Sequence, residues 1–338
     1  MQLRTYRFLP VVMIGIATLF APYSLSAHAK GFTVSGRELK DANGNAFFIR
    51  GVSNPHIWID KQAFDVLPVV AALKANCVRI VWDRSGSPAR LDQIFQRCED
   101  LKMVPMVELH DGTGNNNPQA LIDNANYYAR SDVLAVLKKH QRDVLINIAN
   151  EWSNWRKSAS DWRDQYEAPI AILRKAGIVT TLVVDNPNYA QDYHAGITTD
   201  PGSSIPYSQQ LLDFDPRHNL LFSVHMYAGF NNPQDVYDAM LGYYKARLPL
   251  IIGEFGYNAS NGDNNLHCKV DDRLVMQYAC QFGYGYIAWS TEGNDQANSW
   301  LDLMTGWSTL TQWGNEVFYA TPYSITNTAQ PASIFRGR

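Results

Sequence analysis

Glu151 and Glu254 are the residues of this chain best placed to do chemistry together. Each closes an apolar run, Leu145-Ile146-Asn147-Ile148-Ala149-Asn150-Glu151-Trp152 in one case and Leu250-Ile251-Ile252-Gly253-Glu254-Phe255-Gly256 in the other. Runs this rich in β-branched and small residues read as strands buried on both faces. The carboxyl end of such a strand is where parallel α/β folds build their sites. Two carboxylates facing one cleft can act on a single acetal bond, one as proton donor and the other as nucleophile or base. A gap of roughly 5–5.5 Å lets the second carboxylate attack carbon directly, whereas roughly 6.5–9.5 Å leaves room for a water and inverts the anomeric configuration. The shorter gap is the expectation here.

The two acids must differ in proton affinity, and nearby residue types offer the means. Arg79 ends another apolar run and can keep Glu254 ionised, and the hydroxyl of Tyr227 can donate to the same carboxylate. Glu151 lies between Asn150 and Trp152 with no cation beside it in sequence, so partial burial raises it. Glu151 is therefore assigned as acid/base and Glu254 as nucleophile. Asn150 is placed to hydrogen-bond the 2-hydroxyl of the sugar at the cleaved position. Glu108, two residues before His110, also points toward the mouth and reads as an ion-pair partner of a strand-end cation. His110 and His225 could be satisfied core histidines, but their position at strand ends favours substrate hydroxyls. Nine tryptophans are present, and a few exposed in a cleft would stack on sugar rings.

Those side chains need a scaffold that gathers strand ends. Strands are expected at 51–54, 77–82, 104–110, 145–151, 178–184, 220–225, 250–253 and 286–289, alternating with helices at 65–75, 91–101, 131–139, 161–176, 232–246, 271–282 and 309–319. The alternation implies a parallel sheet with crossover helices. An open doubly wound sheet could also hold eight strands, but no Gly-x-Gly-x-x-Gly follows the first. Asn54, Arg79, His110, Asn150, Glu151, His225, Glu254 and Trp289 all fall at strand ends, and a closed (β/α)8 TIM barrel brings that many ends around one pocket. Two runs at 31–34 and 46–50 flank the turn Asp41-Ala42-Asn43-Gly44-Asn45 and predict an N-terminal β-hairpin.

Residues 1–29 read as a signal peptide: Arg4 and Arg7, an apolar stretch from 8 to 21, then Ala27-His28-Ala29 as a cleavage site, with an uncleaved anchor as the alternative. Cleavage near Ala29 would move the formal charge from −3 to −5, without the basic footprint of a nucleic-acid binder. A secreted protein with no membrane span after signal removal follows, with a catalytic barrel over 30–325 and a loosely held polar tail over 326–338. An exported chain permits disulfides, and Cys77–Cys98 with Cys268–Cys280 is the preferred pairing, buried free thiols being the alternative. No zinc spacing appears, and neither metal nor organic cofactor is expected. Asp263 among its asparagines reads as a turn rather than a cation loop. A monomer is expected.

The motifs also resemble a known family. Phe48-Ile49-Arg50-Gly51-Val52-Ser53-Asn54-Pro55-His56-Ile57-Trp58, Val78-Arg79-Ile80-Val81, Val107-Glu108-Leu109-His110-Asp111, Ile146 to Trp152, Ser223-Val224-His225-Met226-Tyr227, Ile252-Gly253-Glu254-Phe255-Gly256 and Ile287-Ala288-Trp289-Ser290 together resemble glycoside hydrolase family 5, especially its bacterial endo-β-mannanases. The resemblance implies a (β/α)8 barrel, a retaining double displacement and a mannan or glucomannan substrate cut at internal β-1,4 bonds. It further implies that His56, Arg79, His110, His225 and Tyr227 line the site, that Trp289 floors the central sugar subsite, and that Trp58 and Trp155 are cleft aromatics. Thr291 and Glu292 depart from the pattern, since those enzymes usually carry another tryptophan after Ala-Trp-Ser. A cellulase or another β-1,4-glycanase is the alternative enzyme, and a non-catalytic polysaccharide-binding barrel the alternative of another class.

Overall fold

Eight apolar runs become eight parallel strands because none of them has a polar face to offer water. They are β1 (Arg50–Asn54), β2 (Cys77–Trp82), β3 (Val104–Leu109), β4 (Leu145–Asn147), β5 (Leu182–Asp185), β6 (Leu220–Met226), β7 (Leu250–Phe255) and β8 (Gly285–Ala288). Every residue in them is buried. They close in sequence order, with β8 hydrogen-bonded to β1, as expected for a TIM barrel. This computed structural model describes residues 31–192, 203–259 and 266–336; the expected signal segment and the Asp263 turn lie outside the described residues.

Helices between the strands follow local chemistry. Pro88–Asp100 starts where the Ser87 hydroxyl accepts the Arg90 N–H, with proline in its first turn. It buries Leu91, Ile94, Phe95 and Cys98, the spacing of one helical face, in the apolar layer outside the barrel beside β3. Asp271 caps Asp272–Phe282 in the same way, and Gly283 ends that helix at φ +74°. The helix expected at 65–75 is instead two short helices, Asp60–Asp65 and Leu67–Ala72, because Pro68 is tolerated in a first turn but not in a helix interior. A further helix, Pro118–Ala129, occupies a segment without a sequence assignment, capped by Asn117.

The N-terminal hairpin is present with a different turn. Thr33–Ser35 pairs with Glu38–Lys40 around Gly36 at φ +59°, and the Asp41–Asn45 turn follows as a second reversal, held by the Asp41 carboxylate accepting the Asn43 and Asn45 N–H groups. Phe32, Leu39, Phe47 and Ile49 fill the amino-terminal end of the barrel against Cys77, Val104, Leu145, Val183, Leu221, Ile251 and Ile287.

Two further expectations are corrected. The segment expected as a loose tail folds back under that same end. Ile334 and Phe335 are buried there, and the Asp41 carboxylate accepts the Ser333 N–H at 2.6 Å. Each such apolar side chain adds about 1.5–3 kcal/mol on burial, which a polar composition conceals. The four cysteines are all free thiols. Cys77 points into the barrel interior while Cys98 joins the layer between strands and helices, so strand β2 itself separates them. Cys280 instead takes a hydrogen bond from the Arg50 guanidinium at 3.1 Å.

Candidate active site

The barrel's carboxyl end opens into a cleft of about 650 Å³. Glu151 and Glu254 both line it, together with Trp58, Asn150, Trp155 and Trp289. Donor atoms of Glu151, His225 and Glu254 lie within 4.8 Å of one another, so the two carboxylates approach across the mouth as closely as direct attack on carbon requires.

Glu254 reaches this position through a bulge. Val224 pairs with Ile252, but His225 pairs with Glu254, so Gly253 is the extra residue and the bulge turns Glu254 toward the mouth. Arg79 Nη1 donates to Glu254 Oε1 at 2.7 Å, and the Tyr227 hydroxyl donates to Oε2 at 2.9 Å. Burial raises the proton affinity of Glu254 to about 7, and Arg79, His110 and Tyr227 keep it from going higher. Glu151 has less help, from the Arg79 charge alone. Burial raises it well above the carboxylate range, and the charges of Glu254 and Asp185 push it further. Glu254 therefore ionises first.

Glu151 lies beyond the end of β4, at φ +43°, a left-handed conformation unusual for a residue with a side chain. Its backbone N–H donates to Asp185 Oδ2 at 2.9 Å. Its Oε1 meets His225 Nδ1 at 2.9 Å. Asp185, fully buried at the end of β5, was not singled out from the sequence, although an acid closing Leu182-Val183-Val184 has the same strand-end signature as Glu254.

Arg79 is the hub beneath the cleft. Besides Glu254 it donates to Asn150 Oδ1 at 2.6 Å and Asn147 Oδ1 at 3.0 Å, and it lies 3.7 Å from Glu108 and 3.8 Å from Asp185. Glu108 is the expected ion-pair partner. It also holds His110 Nδ1 at 3.0 Å, and although burial works to lower His110, the Glu108 charge raises it overall.

Three residues expected to line the cleft do not. Arg79, His225 and His56 are buried, at 1% exposure or less. Arg79 and His225 lie under the carboxylates and hold them. His56 packs behind β1 against the Asn54 amide, and burial drives it down to about 3, so it stays neutral. The others are where expected. Trp289 and His110 stack at 5.9 Å, Trp58 stands edge-on to both, and Trp155 is 54% exposed beside Tyr189. Asn150 donates its amide to Thr113. The departures Thr291 and Glu292 serve the loop after β8: Thr291 donates to Asn54 Oδ1 at 2.7 Å, and Glu292 accepts the backbone N–H groups of Gly306 and Trp307. Asn294, not seen as functional in the sequence, accepts the Trp289 indole N–H at 2.9 Å and fixes that ring through Asp302.

The span of the Glu151, His225 and Glu254 donors would fit a cation, but a guanidinium already neutralises Glu254 and an imidazole already meets Glu151. The set is wired for proton transfer. A closed barrel with two unequal carboxylates facing across an indole-lined cleft defines a barrel glycoside hydrolase.

Comparison with known proteins narrows the class. The family model described as Cellulase (glycosyl hydrolase family 5) matches residues 40–295, and the chain belongs to that family. A mannan endo-1,4-beta-mannosidase of Salipaludibacillus agaradhaerens is 34% identical over 90% of this chain and 96% of its own length. One from Cellvibrio japonicus (strain Ueda107) is 33% identical over 98% and 75%. Among solved structures, a Thermomonospora fusca beta-mannanase in complex with mannotriose superposes with a TM-score of 0.81 at 31% identity, covering 91% of this chain and all of that one.

Proposed function

We propose that this chain is a secreted, retaining endo-hydrolase of the internal β-1,4-mannosidic bonds of mannan and glucomannan. The approach of the Glu151 and Glu254 carboxylates to within 4.8 Å, in unequal surroundings, is the observation that carries the mechanism. The names of the relatives support the substrate. The apolar stretch behind Arg4 and Arg7, ending in Ala27-His28-Ala29, supports export, and among the described residues no helix is long and apolar enough to cross a membrane.

In the first step Glu254, as carboxylate, attacks the anomeric carbon while Glu151 gives its proton to the departing glycosidic oxygen. The C–O bond to the leaving sugar breaks and a glycosyl ester forms on Glu254. Arg79 and Tyr227 hold the attacking oxygens, and the second N–H of the Asn150 amide, whose first donates to Thr113, serves the 2-hydroxyl. In the second step Glu151, now ionised, takes a proton from water, whose oxygen attacks the same carbon. Glu254 leaves as carboxylate, and two displacements restore the original configuration. Trp289 and Trp58 offer flat faces to the sugar rings, the former pinned by Asn294.

The test is oligosaccharide release from mannan, glucomannan and carboxymethylcellulose, with the first-formed anomer read by NMR. Release from the mannans with a β-anomer first is the expected result. Release from carboxymethylcellulose alone would overturn the substrate and make this a β-1,4-glucanase. An α-anomer first would overturn the double displacement.

A further inference from the structure

Glu151 is held from behind by a buried polar network with no opening to the cleft, and Asp185 is its anchor. The Asp185 carboxylate takes three donors: the Glu151 backbone N–H at 2.9 Å on Oδ2, the Asn147 amide at 3.1 Å on Oδ1, and the Ser223 hydroxyl. Burial raises the proton affinity of Asp185, and the three donors, with the Arg79 guanidinium at 3.8 Å, work against that in favour of the anion. The first of these bonds ties down the positive-φ backbone that aims Glu151 into the cleft.

The same oxygen, Oδ2, also lies 3.5 Å from Nε2 of His225, a buried ring nitrogen that makes no hydrogen bond in this structure, so the two interact through charge. Space for that edge of the ring comes from the bulge residue Gly253. A Cβ there would lie 2.1 Å from Ser223 Oγ and 3.1 Å from His225 Nε2. Burial, with Arg79 and His110, keeps the His225 imidazole well below its usual range, so it carries one proton. A neutral imidazole between two carboxyl groups puts that proton on the nitrogen facing the fixed anion. That nitrogen is Nε2. Nδ1 is then a bare acceptor, 2.9 Å from Glu151 Oε1, and that contact is satisfied only when Glu151 carries a proton.

We propose that Asp185, acting through the His225 tautomer and the Glu151 backbone N–H, is a positioning residue that keeps the acid/base protonated at rest and makes it a strong base after the first step. The inference rests on Glu151 being the acid/base. The device works in both halves of the cycle. Before bond cleavage the Nδ1 lone pair favours the carboxylic acid. After cleavage the same lone pair faces a carboxylate and favours its taking a proton back from water. The other charged or titratable groups around this network are Arg79 from β2, Glu108 from β3, His110 just after it, Tyr166 from the helix Ala159–Lys175, Tyr227 just after β6, and Glu254 from β7. Of these only Glu254 changes its charge during the cycle, since the glycosyl ester is neutral and no longer raises Glu151; the Nδ1 lone pair acts on Glu151 in both steps.

Asp185→Asn is the perturbation, with Asp185→Ser as the smaller uncharged replacement should the amide face the Glu151 N–H badly. kcat/KM is measured against pH on a mannooligosaccharide and on a dinitrophenyl β-mannobioside, whose leaving group needs no proton, alongside Glu151→Gln. The expected loss is about tenfold to a hundredfold on the oligosaccharide and under about threefold on the activated substrate, as for a residue serving acid catalysis. The alkaline limb on the oligosaccharide moves down by about one pH unit, because His225 is now free to donate to an ionised Glu151. In the unaltered enzyme, imidazole ¹⁵N spectra should show His225 protonated at Nε2 and bare at Nδ1. Equal losses on the two substrates, an unmoved alkaline limb, or the opposite tautomer would each overturn the proposal. If Glu151→Gln itself lost equally on both substrates, the acid/base reading beneath it would fall, and the inference with it.

Discussion

Removing one oxygen from the site, by Tyr227→Phe, tests how Glu254 is kept ready to attack. The Tyr227 hydroxyl donates to Glu254 Oε2 at 2.9 Å, and Arg79 serves only Oε1. Without it, Oε2 faces His225 Nδ1 at 3.6 Å, a bare acceptor in the tautomer inferred above. A hydrogen bond to a buried charged group contributes about 1.5–3 kcal/mol. Tyr227 gives that to the ionised carboxylate and much less to the acid. At about 1.36 kcal/mol per pKa unit, the proton affinity of Glu254 should rise by roughly one to two units. Glu254 must be ionised to attack, so the acid limb of kcat/KM moves to higher pH by that amount while the alkaline limb, set by Glu151, stays in place. The optimum narrows from its acidic side. The assay is a pH–rate profile on a soluble mannooligosaccharide, at concentrations low enough to report kcat/KM. A uniform drop in rate with the acid limb unmoved would refute the reasoning, because Tyr227 would then act on something other than the charge of Glu254.

Other outcomes follow from neighbouring parts of the structure. Glu254→Ala should cost roughly 10⁴-fold or more in turnover if it carries the covalent step, and an unchanged rate would remove it from the mechanism. Trp58→Ala should raise KM by about threefold to tenfold with kcat nearly unchanged, since a ring that is 53% exposed and meets its neighbours edge-on contributes little to stability and much to stacking. A rise in kcat or a loss of folded protein would count against that role. Away from the site, His140 lies between Glu99 at 2.5 Å and Asp92 at 2.7 Å, joining the helices Pro88–Asp100 and Ser131–Lys139. Burial works to lower its proton affinity, but the two carboxylates prevail and raise it. A raised histidine stabilises fully below its unfolded pKa of about 6.5, and that contribution is lost as pH climbs through the folded value. His140→Gln should therefore lower the melting temperature more at about pH 5 than at about pH 9, and equal losses would disprove the charged clamp.

The barrel and its principal pair were readable from single residues because each announces itself at the end of an apolar run. Arg79, Glu151 and Glu254 are charges set in or at the end of stretches that are otherwise apolar apart from amides, and a buried strand that ends in a charge has few reasons to do so. What escaped was direction and depth. His56 and His225 have the sequence signature of cleft residues, yet both are buried, because strand-end position says nothing of how far a side chain sits below the mouth. Asp185 shares the signature but closes a strand of only four residues, itself included, and its role depends on contacts with Glu151 and His225, some 34 and 40 positions away, that no local pattern encodes. The cysteine pairing failed for a similar reason. Spacing along the chain cannot tell which face of β2 carries a thiol, and alternation along the strand put Cys77 on the interior face. The end of the chain was misjudged because composition is an average, and the few apolar residues of a polar segment were the ones that docked.

The docked segment bears on how this molecule can be handled. Phe32, near the start of the described chain, and Phe335, near its end, share one apolar plug on the blind side of the barrel. A tether, a fused module or a solid support joined next to Phe32 or Phe335 would therefore leave from the side away from the cleft. The mouth would stay turned outward, with its indoles open to a polymer far longer than the molecule is wide.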